Sequence, residues 1–250
     1  MARSLRIQYP GAAYHVTCRG NERQAIFKDD DDRHRFLKIL SQSLGIYTVK
    51  LHSYVLMNNH FHLLVETPLG NLSEFMRTFN ITYTGYYNRR HARVGHLYQG
   101  RYKSILVDRD AYLTVLSRYI HLNPVRIKTQ EKAPLKERIN VFNSYPWSSL
   151  PGYLDTRKKE KFVEYALVLS AYGADNDHAR KGYSEDLYTD LKKKVTLHDK
   201  VVGQSVIGDD EFIEWVKESY LKGEMGSEQP AVKSIQSRQA KEAILKVIKE

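Results

Sequence analysis

The sequence is poor in cysteine and has no long apolar stretch. Among its 250 residues only Cys18 carries a thiol, which excludes an intramolecular disulfide framework and a cysteine-based zinc site, and fits a reducing cytoplasm. No hydrophobic run approaches the ~18 residues that a membrane span needs, and no apolar stretch follows the basic start, so neither a membrane anchor nor a signal peptide is predicted. A hydrophobic content of 42% is nevertheless enough for a packed core. We therefore expect a globular cytoplasmic protein.

The chain also lacks an excess of acidic residues, and its positive charge is unevenly placed. It has 39 Lys and Arg against 29 Asp and Glu, a net charge of +10. Residues 1–128 hold 19 basic and 9 acidic side chains (+10), and residues 129–250 hold 20 of each, which cancel. A basic domain attracts polyanions, because binding phosphates releases condensed counterions. The N-terminal half is thus where a nucleic-acid surface is expected, although a merely soluble basic surface remains the alternative.

The hydrophobic pattern predicts an α+β fold. Period-2 alternation predicts strands, and a 3.6-residue apolar period predicts helices. The resulting order, β-α-β-β-α-β-α, contains the split β-α-β pattern of ferredoxin-like antiparallel sheets. The predicted strands are 13–21, 51–57, 60–66 and 102–108, and the predicted helices are 33–45, 71–92 and 110–122.

Turn and cap residues support this order. Asn58 and Asn59 separate two apolar runs and predict a β-hairpin, since asparagine tolerates left-handed backbone. The acidic run Asp29 to Asp32 is interpreted as a helix N-terminal cap, with a metal role as the weaker alternative. Residues 144–154 are expected to be irregular chain that packs Trp147 on the domain. A boundary near residue 155 then separates domain 1–155 from a mainly helical extension, 156–250.

His60-Phe61-His62 is the sharpest local motif. On a strand the two histidines project from one face, roughly 7 Å apart, while Phe61 takes the other. Two imidazoles can hold one divalent ion but leave its shell incomplete, so a third ligand and open positions for substrate oxygens are required. A His-x-His pair alone is weak support for a metal site.

Tyr119 and Asn123 form a second candidate pair. Four residues apart on a helix, they share a face, although Pro124 makes the register approximate. An amide oxygen is a plausible hard ligand, and a phenol is a plausible nucleophile. The competing interpretation is that Tyr112, Leu116 and Tyr119 form an ordinary apolar stripe of the core, and spacing alone does not decide between the two.

Three ordered motifs resemble those of the REP-associated tyrosine transposases, within the wider HUH superfamily of single-tyrosine transposases. They are "YVLMNNHFHLLVE", "HLYQGRYKSILVD" and "YLTVLSRYIHLNPVR". The opening "PGAAYHVTCRGNERQAIF" is similar to the start of the family. "LSAYGADNDHARKGYSEDL" and "GQSVIGDDEFIEWV" resemble its common C-terminal extension. The likeness extends over nearly the whole chain.

The resemblance implies a site and a reaction. His60 and His62 match the histidines of the HUH motif, Tyr119 matches the nucleophile, and Asn123 matches the polar third ligand one turn beyond it. The implied cofactor is a divalent cation, Mg²⁺ or Mn²⁺. The implied reaction is cleavage and rejoining of single-stranded DNA, in which Tyr119 forms a 5′-phosphotyrosine and releases a free 3′-OH.

DNA contacts are expected from the basic surface around these motifs, although ordinary solvated side chains are the alternative. The nominated residues are Arg19, Asn21, Arg101, Lys103 and Arg126, with Tyr86 and Arg90 as a stacking surface for unpaired bases. The family recognises DNA hairpins of repeated extragenic palindromes, and its members act as monomers or as homodimers. The predicted location is the cytoplasm, in association with the nucleoid. The segment 234–250 is expected to be a terminal helix or an incomplete DNA-binding module.

Two other functions compete with a tyrosine transesterase. A non-catalytic DNA-binding protein or repressor on the same scaffold would bind hairpins without cleaving them. An unrelated metallohydrolase that uses a water nucleophile would survive replacement of Tyr119 by phenylalanine, whereas the transesterase would lose all strand cleavage.

Overall fold

The computed structural model describes residues 6–127, 130, 132–193, 201–203 and 205–221. In these ranges a five-stranded sheet has the order β2-β3-β1-β4-β5. The first four strands pair antiparallel, as expected for a ferredoxin-like sheet, and β5 joins the edge parallel to β4. The strands are β1 (Ala12–Arg19), β2 (Lys50–Met57), β3 (His60–Thr67), β4 (Lys103–Val107) and β5 (Val206–Ile207). The predicted α+β class is confirmed, and the parallel strand β5 is the feature of the sheet that was not foreseen.

Helices α1 (Asp30–Tyr47) and α2 (Leu72–Arg90) cover one face of the sheet. The contact is aromatic: the Phe36 ring of α1 lies 5.0 Å from that of Phe61 on β3 and 4.9 Å from that of Phe79 on α2. All three side chains are fully buried. Burial of each such ring contributes about 1.5–3 kcal/mol to folding, so this face holds much of the core.

Helix α3 (Arg109–His121) packs against β1, β2 and β3 on the opposite face. Here the contact is partly polar, since the hydroxyls of Ser117 on α3 and Ser53 on β2 are 2.6 Å apart. Side chains alternate along each strand, so the face under α3 receives every second residue of β1 and β3. His15, His60 and His62 belong to that set, because Thr17 is paired with His62 and Arg19 with His60.

The predicted helix cap and β-hairpin turn are confirmed, but the backbone conformation expected at the turn was wrong. Asp29 caps α1 by accepting from the backbone N–H of Asp32 at 3.0 Å. Asn58 and Asn59 do form the two-residue turn between β2 and β3. Neither asparagine has a positive φ, however. Their side chains serve instead as bonding partners: Asn58 accepts from Arg33, and Asn59 donates to the carbonyl of Arg23.

In the described residues after α3, five α-helices follow and one strand joins the sheet. A short helix occupies part of the segment that was expected to be irregular, while Trp147 packs on the domain as expected, with its carbonyl accepting from Leu56 at 2.8 Å. The boundary near residue 155 stays a prediction. The predicted terminal helix, 234–250, lies outside the described residues. The helices are α4 (Leu135–Ser144), α5 (Leu150–Leu154), α6 (Ala166–Leu169), α7 (Asp177–Lys193) and α8 (Asp210–Tyr220).

The extension after residue 155 holds α3 in place through side-chain contacts. The Arg118 guanidinium donates to Asp190 at 2.7 Å and to the Tyr172 hydroxyl at 2.7 Å. On the buried side of α3, His121 Nδ1 lies 2.7 Å from the hydroxyl of Tyr183. The two anchors flank residue 119 on both sides, so α3 is fixed by its own chain. None of the helices in the described ranges is long and apolar enough to cross a membrane.

Candidate active site

The two predicted histidine ligands lie side by side on the face of β3 that α3 covers. Their ring centroids are 5.1 Å apart and their planes are inclined by 71°. Phe61 between them points to the α1–α2 side, as strand alternation requires. His60 is half-buried at the start of β3, and His62 is buried. This pair could present two ring nitrogens to one cation.

The Nδ1 atom of each histidine is already engaged. His60 Nδ1 lies 2.7 Å from Asn59 Oδ1, and His62 Nδ1 lies 2.8 Å from His15 Nε2. His62 Nε2, by contrast, is buried and has no hydrogen-bond partner in the described part of the chain. A buried polar atom without a partner costs free energy, and a metal ligand is one role that compensates for it. The donor set therefore fits a divalent cation.

Both histidines are held in the neutral form that can bind a cation. Burial, with a smaller contribution from the nearby positive charge of Arg19, lowers the pKa of His60 to about 4. Burial, followed by the neighbouring His15 and His60 rings, also lowers the pKa of His62 well below its usual value. Since a metal binds the imidazole lone pair, a depressed pKa keeps both ligands available at neutral pH.

The predicted nucleophile Tyr119 lies next to this group. Its ring stands edge-on to the ring of His15, with centroids 6.2 Å apart and an interplanar angle of 78°. The Arg126 guanidinium lies over the Tyr119 ring, 4.5 Å from the ring centroid. Tyr119 is half-buried, packed at the rim of the core. One phenol, one arginine and a histidine pair are thus brought together.

Asn123 is joined to this group through Tyr119. Its amide nitrogen donates to the carbonyls of Tyr119 and Ile120, both at 3.1 Å. The side-chain oxygen is then the atom with which Asn123 can bind a cation. Within the described ranges no cluster of three or more His, Cys, Asp or Glu side chains is arranged to hold a metal. The assignment of Asn123 as the third ligand stays a prediction.

His15 is the residue of this group that the sequence did not indicate. It lies on the central strand β1, is 6% exposed, and stacks on His62 with an interplanar angle of 14°. The sequence offered only a weak signal, namely that His15 and Thr17 point to the same face of their strand. The β1–β3 register, which pairs Thr17 with His62, is what brings His15 beside His62. Asn59, the partner of His60, was noticed only as a turn residue.

Four of the nominated DNA-contact residues surround the same end of the sheet. Arg19 is paired with His60, and Lys103 with Thr17, so both start from the histidine face. Both side chains are exposed. Asn21 and Arg101 line an open cavity of about 750 Å³ beside α2. Arg19 and Lys103 thus form a basic rim beside the histidines, whereas Asn21 and Arg101 lie at the cavity beside α2. The role of all four in DNA contact stays a prediction.

Tyr86 and Arg90 lie on the other side of the sheet, in the α1–α2 layer. Arg90 donates to Asp29 at 2.6 Å, to Asp32 at 2.5 Å and to Asp31 at 3.1 Å. Tyr86 is half-buried. Three carboxylates satisfy the guanidinium, so its structural task is to join the C-terminal end of α2 to the N-terminal end of α1. The structure thus separates this pair from the histidine site.

Comparisons with known proteins were made for the whole chain. The model of the IS200-like transposase family matches residues 8–123, so this part of the chain is similar to the IS200-like transposases. The match includes both histidines, Tyr119 and Asn123. No match was found among curated proteins.

A solved structure extends the comparison. The chain is similar to a REP-associated tyrosine transposase that was solved bound to a REP hairpin, with a TM-score of 0.50 and 13% sequence identity. The similarity covers 67% of this chain and 93% of the other. At this identity it supports the fold, and the resemblance predicted from the motifs is confirmed.

Proposed function

We propose that this protein is a metal-dependent transposase-type enzyme that cuts and rejoins single-stranded DNA with Tyr119 as nucleophile. The observation that carries the proposal is the ring contact between Tyr119 and His15, whose Nε2 lies 2.8 Å from His62 Nδ1. His62 itself has a buried Nε2 without a hydrogen-bond partner among the described residues. The family match of the domain supports the same class of reaction.

His60, His62 and Asn123 would hold the cation, which we propose to be Mg²⁺ or Mn²⁺. When bound, it would polarise an oxygen of the scissile phosphate and stabilise developing negative charge. The remaining chemistry belongs to the side chains. Tyr119 forms a bond to phosphorus, the bond to the 3′ oxygen breaks, and a 5′-phosphotyrosine and a free 3′-OH result. A phenolate is a better leaving group than an alkoxide, so the exchange is reversible without ATP.

Arg126 is placed to act on the charge that this exchange develops. Its guanidinium lies over the Tyr119 ring, and its buried Nη1 has no hydrogen-bond partner within the described chain. Charged donors without partners are suited to phosphate oxygens, which they bind with charge-assisted hydrogen bonds. We therefore assign Arg126 to the scissile phosphate.

The proposed substrate is hairpin-containing single-stranded DNA. Arg19 and Lys103 would contact the strand that enters the site, because they extend from the same sheet face as the histidines. Asn21 and Arg101 would contact flanking nucleotides. The solved relative bound a REP hairpin, which supports a hairpin as the probe. In the cell the protein would act on nucleoid DNA in the cytoplasm.

We further propose that Tyr119 serves the histidines of its own chain, so that a monomer is sufficient. The hydrogen bond between Ser117 and Ser53 joins α3 to its own sheet, and the bonds of Arg118 to Asp190 and of His121 to Tyr183 join it to its own extension. A mixture of Tyr119→Phe and His62→Ala proteins should then show no cleavage. Restoration of activity in the mixture would indicate a tyrosine shared between two subunits.

The decisive experiment uses a labelled single-stranded hairpin with Mn²⁺ and the full chain. Wild type should form a covalent protein–DNA adduct, and mass spectrometry should locate the nucleotide on Tyr119. Tyr119→Phe should abolish the adduct, while the matched variant Tyr112→Phe, two turns earlier on α3, should retain it. Hairpin binding without any adduct in wild type would favour a non-catalytic DNA-binding protein. Cleavage by Tyr119→Phe would favour a water nucleophile.

A further inference from the structure

The two histidines differ in how their hydrogen-bond partners constrain them. Asn59 donates its amide nitrogen to the carbonyl of Arg23, so the oxygen that faces His60 can only accept. His60 Nδ1 must therefore carry the proton, and its Nε2 carries the lone pair. The amide alone determines the metal-binding tautomer of His60.

For His62 the partner is a second imidazole, which can either donate or accept. If His15 Nε2 accepts, His62 carries its proton on Nδ1, and its buried Nε2 presents a lone pair. If His15 Nε2 donates, the His62 proton moves to Nε2, and that atom cannot bind a metal. Only one of these two arrangements is competent, and the hydrogen-bond role of His15 Nε2, acceptor or donor, selects it.

We propose that His15 is a positioning residue which, by accepting the Nδ1–H of His62, fixes the tautomer and ring orientation of that ligand. This inference rests on the metal site of the proposed function. Partners that hold metal-binding histidines in this way contribute about 10- to 100-fold to metal affinity.

The surroundings of His15 make it a rigid support. It lies on the central strand, with Leu64 of β3 opposite on one side and Ile105 of β4 on the other. The nearly parallel stacking at 5.1 Å and the 2.8 Å hydrogen bond constrain the two rings together. The edge contact to Tyr119 links the same residue to the nucleophile. A change at His15 is thus expected to affect the cation site first and the tyrosine second.

Two substitutions of His15 by side chains of similar length separate the effect of the hydrogen bond to His62 from the effect of packing. His15→Gln keeps an acceptor near the position of Nε2, whereas His15→Met fills similar space without one. In titrations of the DNA-free full chain with Mn²⁺, the Kd of His15→Met should rise about 10- to 100-fold, while that of His15→Gln should stay within about threefold. His52→Met is the control, because His52 is a buried histidine of β2 that bonds elsewhere. Its Mn²⁺ affinity should not change.

A measurement on the unaltered chain covers the case in which a variant fails to fold. Nitrogen-15 NMR of the metal-free protein should show His62 as the Nδ1–H tautomer, whereas the Nε2–H tautomer would overturn the inference. Equal Mn²⁺ affinity of folded His15→Met and wild type would overturn it as well. If wild type binds no Mn²⁺, the proposed metal site itself is wrong. Metal binding without DNA cleavage would instead contradict only the catalytic part of the proposed function.

Discussion

The two faces of the sheet are built from opposite kinds of side chain. The α1–α2 face is filled by rings such as Phe36, Phe61 and Phe79, all fully buried. The α3 face buries His15 and His62, and it leaves His62 Nε2 without a partner among the described residues. Buried polar groups destabilise a fold unless they are bonded. The comparison teaches that one face stabilises the domain while the other gives up stability to hold a reactive site.

The largest effects are expected from replacing two neighbouring residues of β3, one on each face of the sheet. His62→Ala should lower the cleavage rate about 10³-fold or more, because loss of a ligand removes roughly 4 kcal/mol of transition-state stabilisation. Phe61→Ala should instead lower the free energy of unfolding by about 3–5 kcal/mol. Single-turnover cleavage and urea titration measure the two effects.

The control for this pair is the rate of the folded Phe61 variant, which should stay within about threefold of wild type. Phe61→Leu offers a milder change if the alanine variant does not fold. A large rate loss in folded Phe61→Leu, or an unaffected rate in His62→Ala, would show that the two faces do not divide the work in this way.

Two arginines on opposite faces give the next effect. Arg126→Gln should lower the single-turnover rate about 10- to 100-fold, since hydrogen bonds to charged groups contribute about 1.5–3 kcal/mol. Arg90→Gln should leave the rate within about twofold and lower the urea midpoint, because Arg90 is bonded to three aspartates. If Arg90→Gln weakened hairpin binding at an unchanged midpoint, the original assignment of Arg90 to DNA would be correct.

The smallest expected effect is a pH dependence on the far end of the histidine face. His52, whose Nε2 lies 3.4 Å from the carboxylate, lowers the pKa of Glu66 to about 2, with Lys50 adding to this effect and burial opposing it. Because this carboxyl has a depressed pKa in the folded state, its ionised form stabilises the fold above the unfolded pKa of about 4.5. This stabilisation is lost as the pH falls through the folded pKa of about 2. Between pH 5 and pH 3, wild type should lose about 1 kcal/mol more than Glu66→Gln, after allowance for solvent screening. If urea titrations showed equal losses of unfolding free energy in wild type and Glu66→Gln, Glu66 would not be the cause.

The parts of the fold that could be predicted are those set by local sequence. Alternation along β3 predicted that His60 and His62 share a face opposite Phe61, and the acidic run before α1 predicted the Asp29 cap. The Asn58–Asn59 turn was located correctly although its backbone conformation was not. These features depend on residues within one turn or one strand, so their spacing alone determines them.

The parts that could not be predicted depend on residues far apart in the chain. His15 and His62 are 47 positions apart, and only the strand register brings their rings together. Arg90 meets Asp29 across 61 positions, which local pattern does not encode. β5 has only two residues, too few for any periodicity. Site residues of this kind require the tertiary structure.

The parallel pairing of β5 with β4 has a consequence for synthesis on the ribosome. Leu106 is paired with Val206, 206 − 106 = 100 positions later. At about 5–20 residues per second, the β4 edge stays uncovered for roughly 5–20 s after translation of β4. Unpaired strand edges attract other chains, so nascent copies on one messenger RNA are most prone to associate during that interval. Pairing of β5 then covers Leu106 and Val107 of that edge.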